Sequence, residues 1–260
     1  MNIAVALLVV WVVAALLQAA GWVWQQRRRN AGIVDVIWAG GLGVAAVLMA
    51  ILGNGALWPR ITLAALGGAW SLRLTLHLWR RMGSEGEDGR YAYLRTIWGD
   101  GGTRWFAFFQ AQAFLVVLFA LPFLAVARNP QDGLTPWWIA AVMVWLGSVV
   151  GEAVADAQLA RFRRDPARRD RVCRDGLWRY SRHPNYFFEW LHWFAYALLA
   201  VGSPLAWLAW CGPLLMYVFL RWLSGIPFTE MQALRSRGDD YRHYQRTTPM
   251  FFPWFPRRFP

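Results

Sequence analysis

The sequence predicts an all-α integral membrane protein: a bundle of seven transmembrane helices with its N-terminus outside and its C-terminus in the cytoplasm. Three observations predict it. Several uninterrupted apolar runs reach the roughly 20 residues needed to cross a bilayer. The 260 residues are 57% apolar and 17% aromatic, far from the average soluble domain. The net charge of +12 comes entirely from arginine, and the arginines fall in alternate connections, as the positive-inside rule requires. With no internal repeat or low-complexity tract, the chain reads as one domain over residues 1–260.

The first span covers 3–24 and ends at Arg27, Arg28 and Arg29, without the cleavage site of a signal peptide. A second, at 33–52, returns outward to a short Gly/Asn/Pro loop with Arg60 alone. The third, at 61–80, comes back inward and is followed by a polar loop from Arg81 to Arg104. Span four is expected at 105–126 and span five at 136–158, which delivers the chain to its most basic segment, Arg161 to Arg182. Spans six (185–201) and seven (204–223) form a hairpin, and a polar, then aromatic and Pro-rich tail follows. This topology puts every arginine on the inner side except Arg60, Arg73, Arg128 and Arg221. Phe251, Phe252, Trp254 and Phe255 in the tail suit an interfacial anchor.

A pI near 10.9 in a soluble chain would suggest nucleic acid, but here the basic residues flank membrane spans, so lipid headgroups are the expected partners. Cys173 and Cys211 give neither metal-ligand spacing nor a disulfide framework. No G-x-G-x-x-G, Walker, H-E-x-x-H, C-x-x-C or G-x-S-x-G sequence occurs, which leaves a Rossmann domain, a P-loop, a metal site and a serine hydrolase unsupported.

Ionisable residues inside the spans are patterned. Arg73, His77 and Arg80 recur on one face of span three, with Arg81 one position beyond; Glu152 and Asp156 are i, i+4 on span five, with Arg163 continuing that face; Asp35 opens span two. A lone charge at the bilayer centre costs about 2.5–3.5 kcal/mol even on insertion scales, so this convergence predicts a polar cavity near the inner side. Taken singly, the arginines also suit snorkelling, Glu152 and Asp156 buried structural pairs, and Asp35 a helix start.

The richest stretch is Gly176–Trp190, GLWRYSRHPNYFFEW. Pro184 forbids regular helix just before it and predicts a turn with a helix start near Asn185. Asn185, Glu189, His192 and Tyr196 then share one helix face, a polar stripe that must meet protein, water or ligand. Several arginines beside Asn, Tyr and helix ends suit phosphate, since guanidinium binds phosphate oxygens bidentately and stays charged.

Together with the upstream GEAVADAQLARFRRDP, with WSLRLTLHLWRR and GEDGRY, and with the tail from Gly225, this stretch resembles the steroid 5-alpha-reductase superfamily. It is most similar to that superfamily's bacterial multi-pass branch of unknown function (DUF1295-like). The R-H-P-x-Y core, and a tail of Glu, Tyr-x-x-Tyr and Thr-Pro, are shared with isoprenylcysteine carboxyl methyltransferases. The resemblance implies a bacterial inner-membrane, NADPH-dependent oxidoreductase that reduces a conjugated C=C bond in a steroid-like or isoprenoid-like ketone. The alternative it leaves is an S-adenosylmethionine-dependent membrane methyltransferase. The implied cofactor contacts are Arg80 or Arg81, Arg90, Glu152, Asp156, Arg163, Arg171, Tyr180, Arg182, His183, Asn185, Tyr186, Glu189, Tyr241 and Tyr244. The implied catalytic pair is His77 with Asp35, where the superfamily has Tyr and Glu. A lipophilic substrate and membrane lipids are the implied partners, with no metal.

Overall fold

The computed structural model describes residues 2–168 and 170–257. Helices run in the order α1 Ile3–Arg28, α2 Ile33–Leu52, α3 Leu57–Glu85, α4 Gly89–Trp98, α5 Gly102–Phe119, α6 Leu121–Ala127, α7 Pro136–Arg164, α8 Pro184–Leu199, α9 Cys211–Val218 and α10 Ile226–Thr247. No strand occurs among the described residues. Five helical stretches are long and apolar enough to cross a membrane: Ile3–Arg28, Ile33–Leu52, Gly102–Ala127, Pro136–Arg164 and the apolar part of Ala206–Thr247. Of the other two expected spans, α3 is 29 residues long but carries Arg60, Arg73, Arg80 and Arg81. α8 is 16 residues, about 24 Å of helix at 1.5 Å per residue.

Boundaries differ from the sequence expectation where local chemistry dictates. Asn2 caps α1 by accepting from the Ala4 N–H at 2.9 Å, and Arg29 closes it in the left-handed region with its N–H on the Gln25 carbonyl. Pro122 lies within the first turn of α6 and cannot continue the α5 hydrogen-bond ladder, so the expected fourth span divides at Ala120. The expected polar loop after span three is largely helical, as the end of α3 and the whole of α4. The tail is helical to Thr247, but Gly238, at φ 49° and ψ −119°, breaks α10 into two arms.

The chain divides into two units. The first, Met1–Thr135 with Leu199–Gly212, is centred on α2, whose Ala39, Leu42, Ala45 and Ala46 are fully or almost fully buried. Small residues let α2 and α3 approach closely, and the Ser71 hydroxyl donates to the Ala39 carbonyl at 2.6 Å. A Cβ on Gly43 would lie 2.3 Å from Ser71 Oγ and 2.6 Å from Ser71 Cβ, whereas one on Gly68 meets nothing within 4 Å. Gly43→Val is therefore expected to destabilise the detergent-solubilised protein by about 1–3 kcal/mol through overpacking. Gly68→Ala, at an open helical position, is expected to be neutral or slightly stabilising. Thermal unfolding of the two variants side by side checks this.

The second unit comprises Pro136–Leu198 and Pro213–Pro260. Here α7 and α8 run antiparallel, with Gly151 beneath the Phe188 ring and Asp156 beside Asn185. A Cβ on Gly151 would stand 2.4 Å from that ring, so the glycine permits the contact. Phe251 packs edge-on against Phe187, Trp190 and Tyr217, which ties the tail to α8 and α9.

Candidate functional site

Two polar clusters stand out among the described residues, one in each unit. In the first unit, Asp35 stands in the first turn of α2, and α4 folds back to it. The Tyr91 hydroxyl donates to one Asp35 oxygen at 2.6 Å, and Arg90 donates to the other at 2.9 Å. Arg90 also donates to Asp88, the N-cap of α4, at 3.0 Å. Glu87 accepts from the Ala31 N–H and from Arg95, each at 2.7 Å, and so holds the segment before α4 to the entry of α2. Burial opposes the charge on Asp88, but the Arg90 guanidinium outweighs it and holds that carboxyl below its ordinary range. Tyr91 is 4% exposed; burial, and then the Asp35 charge, push its phenol well above 10, so it keeps its proton at neutral pH.

This corrects the expected His77–Asp35 pair. α3 presents Ser71, Leu78 and Met82 on its packed side, which leaves His77 exposed on the flank. Both Asp35 oxygens are taken by α4 instead. Arg80 is exposed, and Arg81, also exposed, pairs with Asp88 at 3.2 Å.

In the second unit the Asn185 amide donates to Asp156 at 3.1 Å, and its oxygen accepts the Tyr186 N–H at 3.0 Å. One turn before Asp156 on α7 and one turn after Asn185 on α8, Glu152 and Glu189 are buried, 7% and 8% exposed, so with Asp156 the α7–α8 pair carries three carboxylates where an apolar helix pair would carry none. His192, 1% exposed, hydrogen-bonds through Nδ1 to the Glu189 carbonyl at 2.9 Å, and its ring stands edge-on to Tyr196. A carbonyl only accepts, so Nδ1 carries the proton. The predicted stripe is thus half-buried at Asn185 and buried at Glu189, His192 and Tyr196.

Arg182 and His183 meet a group the sequence reading did not place in the site, Glu230. Arg182 Nε donates to Glu230 at 2.7 Å, and its Nη1 donates to the carbonyls of Gln245 and Thr248 at 2.9 and 2.8 Å. Gln245 donates to the other Glu230 oxygen at 2.9 Å, and His183 Nε2 lies 3.3 Å from the oxygen that Arg182 engages. Burial works against the Glu230 charge, yet His183 and Arg182 together hold its carboxyl at about 2. Burial also lowers the His183 pKa, outweighing the attraction of Glu230. Arg182, with a side chain 9% exposed, therefore engages the protein's own groups.

Of the remaining expected contacts, Tyr244 is also structural: it is buried and its hydroxyl reaches the carbonyls of Trp178 and Ser181. Tyr241 packs against it in the same small core. Tyr180 receives the Trp254 N–H on its carbonyl and the Phe255 ring edge on its own ring. Tyr186 stacks on His183 and shares a hydrogen bond with Thr229 at 3.2 Å. Arg163 and Arg171 lie exposed at the surface, and the Arg171 carbonyl accepts from Arg237. Sequence reasoning misses Tyr91, although it ends the GEDGRY run, because the polar composition of α4 predicts a loop there.

Residues 21–248 match the family described as Protein of unknown function (DUF1295). The chain belongs to the DUF1295 family. The match includes both clusters, from Asp35 to Gln245. No curated protein and no solved structure matched the chain.

Proposed function

We propose that this DUF1295 protein is a membrane-embedded, NADPH-dependent reductase of a conjugated C=C bond in a lipophilic ketone. It spans the bacterial inner membrane seven times, with its N-terminus outside and its C-terminus cytoplasmic. The observation that carries the reading is the Tyr91 phenol, 2.6 Å from the Asp35 carboxylate, a tyrosine–carboxylate pair of the kind the resembling reductases use. Its tyrosine comes from α4, in place of His77 of α3.

The donor set suits a dinucleotide. Asn185 with Asp156, and Glu189 one turn deeper, offer amide and carboxylate partners for a carboxamide and ribose hydroxyls. Arg163 and Arg171 are exposed guanidiniums suited to phosphates. NADPH, when bound, supplies the hydride. Tyr91 carries one hydroxyl proton, donated to Asp35 in this structure; a bound ketone would take over that hydrogen bond at its developing enolate oxygen, while Arg90 stays on Asp35 and balances its charge. The apolar residues around Tyr91 exclude water and strengthen that donor.

The test is saturable NADPH binding to purified protein in detergent, with Asn185→Ala expected to weaken it at least tenfold. No saturable binding, or an unchanged affinity in the variant, removes the reductase reading. Titrating S-adenosylmethionine into the same preparation separates the methyltransferase alternative, since that cofactor carries no phosphate for Arg163 and Arg171.

A further inference from the structure

We infer that the C-terminal segment from Thr248 to Arg257 is a strap that binds anionic phospholipid and thereby orders the 176–183 segment leading into α8. The strap is fixed by its main chain. Pro249 accepts the Arg182 N–H at 2.9 Å, Phe251 accepts the Ser181 hydroxyl at 2.9 Å, Trp254 donates its N–H to Tyr180 at 2.9 Å, and Arg257 donates its N–H to Thr247 at 2.8 Å. Phe251 is buried among α8 and α9 rings, so one aromatic plugs the strap into the protein.

The next aromatics point the other way. Phe252 is 51% exposed, Trp254 71% and Phe255 72%, and Trp222 and Leu223, at the end of the apolar run that includes α9, are exposed as well. Large rings held outward by a hydrogen-bonded backbone are stable where a bilayer interface receives them, amphipathic rings being favoured at headgroup level.

Charge selects the lipid. Residues 176–183 and 248–257 contain no carboxylate, while Arg179 and Arg257 are both exposed. Cations interleaved with interfacial aromatics attract anionic headgroups. The two arginines stand on the two segments that the main-chain bonds join, so a headgroup that draws both to the membrane plane also holds the pairing between them. The inference does not depend on the reductase reading.

The experiment is hydrogen exchange of the intact protein in nanodiscs of phosphatidylcholine alone, or with one-third phosphatidylglycerol. Exchange at 178–183 and 250–257 is expected to be at least tenfold slower in the anionic discs. Arg179→Gln with Arg257→Gln should abolish that lipid difference. Trp254→Gln with Phe255→Gln should raise exchange in both discs, and unchanged exchange in α7, in the same unit as the substitutions, reports that each variant is folded. Equal protection of the wild-type strap in the two lipids, or a lipid difference that survives the arginine substitutions, overturns the proposal.

Discussion

Arg182→Ala is expected to destabilise the second unit by about 3 kcal/mol, because it removes one partner of a nearly buried ion pair and leaves the other in place. Glu230 keeps its charge with the neutral Gln245 and Tyr241 and the buried His183 to meet it, and the carbonyls of Gln245 and Thr248 lose a donor. Arg182→Met with Glu230→Met is expected to recover part of the loss, since apolar residues tolerate the site better than an unpaired carboxylate does. The carbonyls stay unsatisfied, so recovery is incomplete. Urea unfolding of the two variants, followed by exchange in α10, reads the difference. Equal losses in both would mean the pair contributes only packing.

The same cluster sets an acid limit. The Glu230 carboxyl is held at about 2 against an ordinary 4.5, a depressed acid, so its contribution is full above about 4.5 and is lost as the pH falls toward about 2. His183 has the same sign. Burial keeps its folded-state pKa below 6.5, so the unfolded chain takes up the proton first, and stability begins to decline once the pH drops below about 6.5. Stability of the second unit is therefore expected to fall in two stages on acidification, with the lower stage weakened in Arg182→Ala.

Tyr91→Phe is expected to separate binding from chemistry. The ring keeps its place beside Phe108 and in the apolar cluster around α4, and only the hydroxyl is lost, for about 1 kcal/mol of stability. On the reductase reading, NADPH affinity stays within about twofold while enone reduction falls by about 10²–10⁴, the usual contribution of a positioned acid. Asp35→Ala removes the acceptor of both Tyr91 and Arg90 and is expected to cost about 2 kcal/mol as well as activity, less than a deep pair because the Asp35 and Arg90 side chains are 29% and 25% exposed. Full activity in Tyr91→Phe, measured as enone-dependent NADPH oxidation, would remove Tyr91 from the reaction. His77→Ala, at an exposed position, is expected to change neither quantity.

The helical class and most helix positions were legible because apolar length and arginine placement are strong signals. The Asn185–Glu189–His192–Tyr196 face was legible for the same kind of reason, since helical spacing alone places those residues together. Asp35 stood out as a carboxylate within an apolar run, but its partner did not. Tyr91 is 56 residues away, on a short helix whose polar composition hides its packed side. Glu230 was harder still. It lies 48 residues from Arg182 and 15 from Gln245, and no periodic pattern relates the three. The arginines of the basic segment look alike in sequence, and only folding distinguishes Arg182, enclosed by carbonyls and a carboxylate, from the exposed Arg163 and Arg171.

On an unbroken α-helix, residues 15 apart would stand about 22 Å from each other. Glu230 and Gln245 nevertheless touch at 2.9 Å, because Gly238 turns α10 back on itself. Its φ and ψ belong to a region only glycine enters readily, and a Cβ there would meet nothing within 4 Å, so the demand is conformational and not steric. A single glycine thus works as the bend of a clasp whose jaws close on Arg182 from two directions. A straightened rod would carry Gln245 out of reach and leave the guanidinium with half its grip.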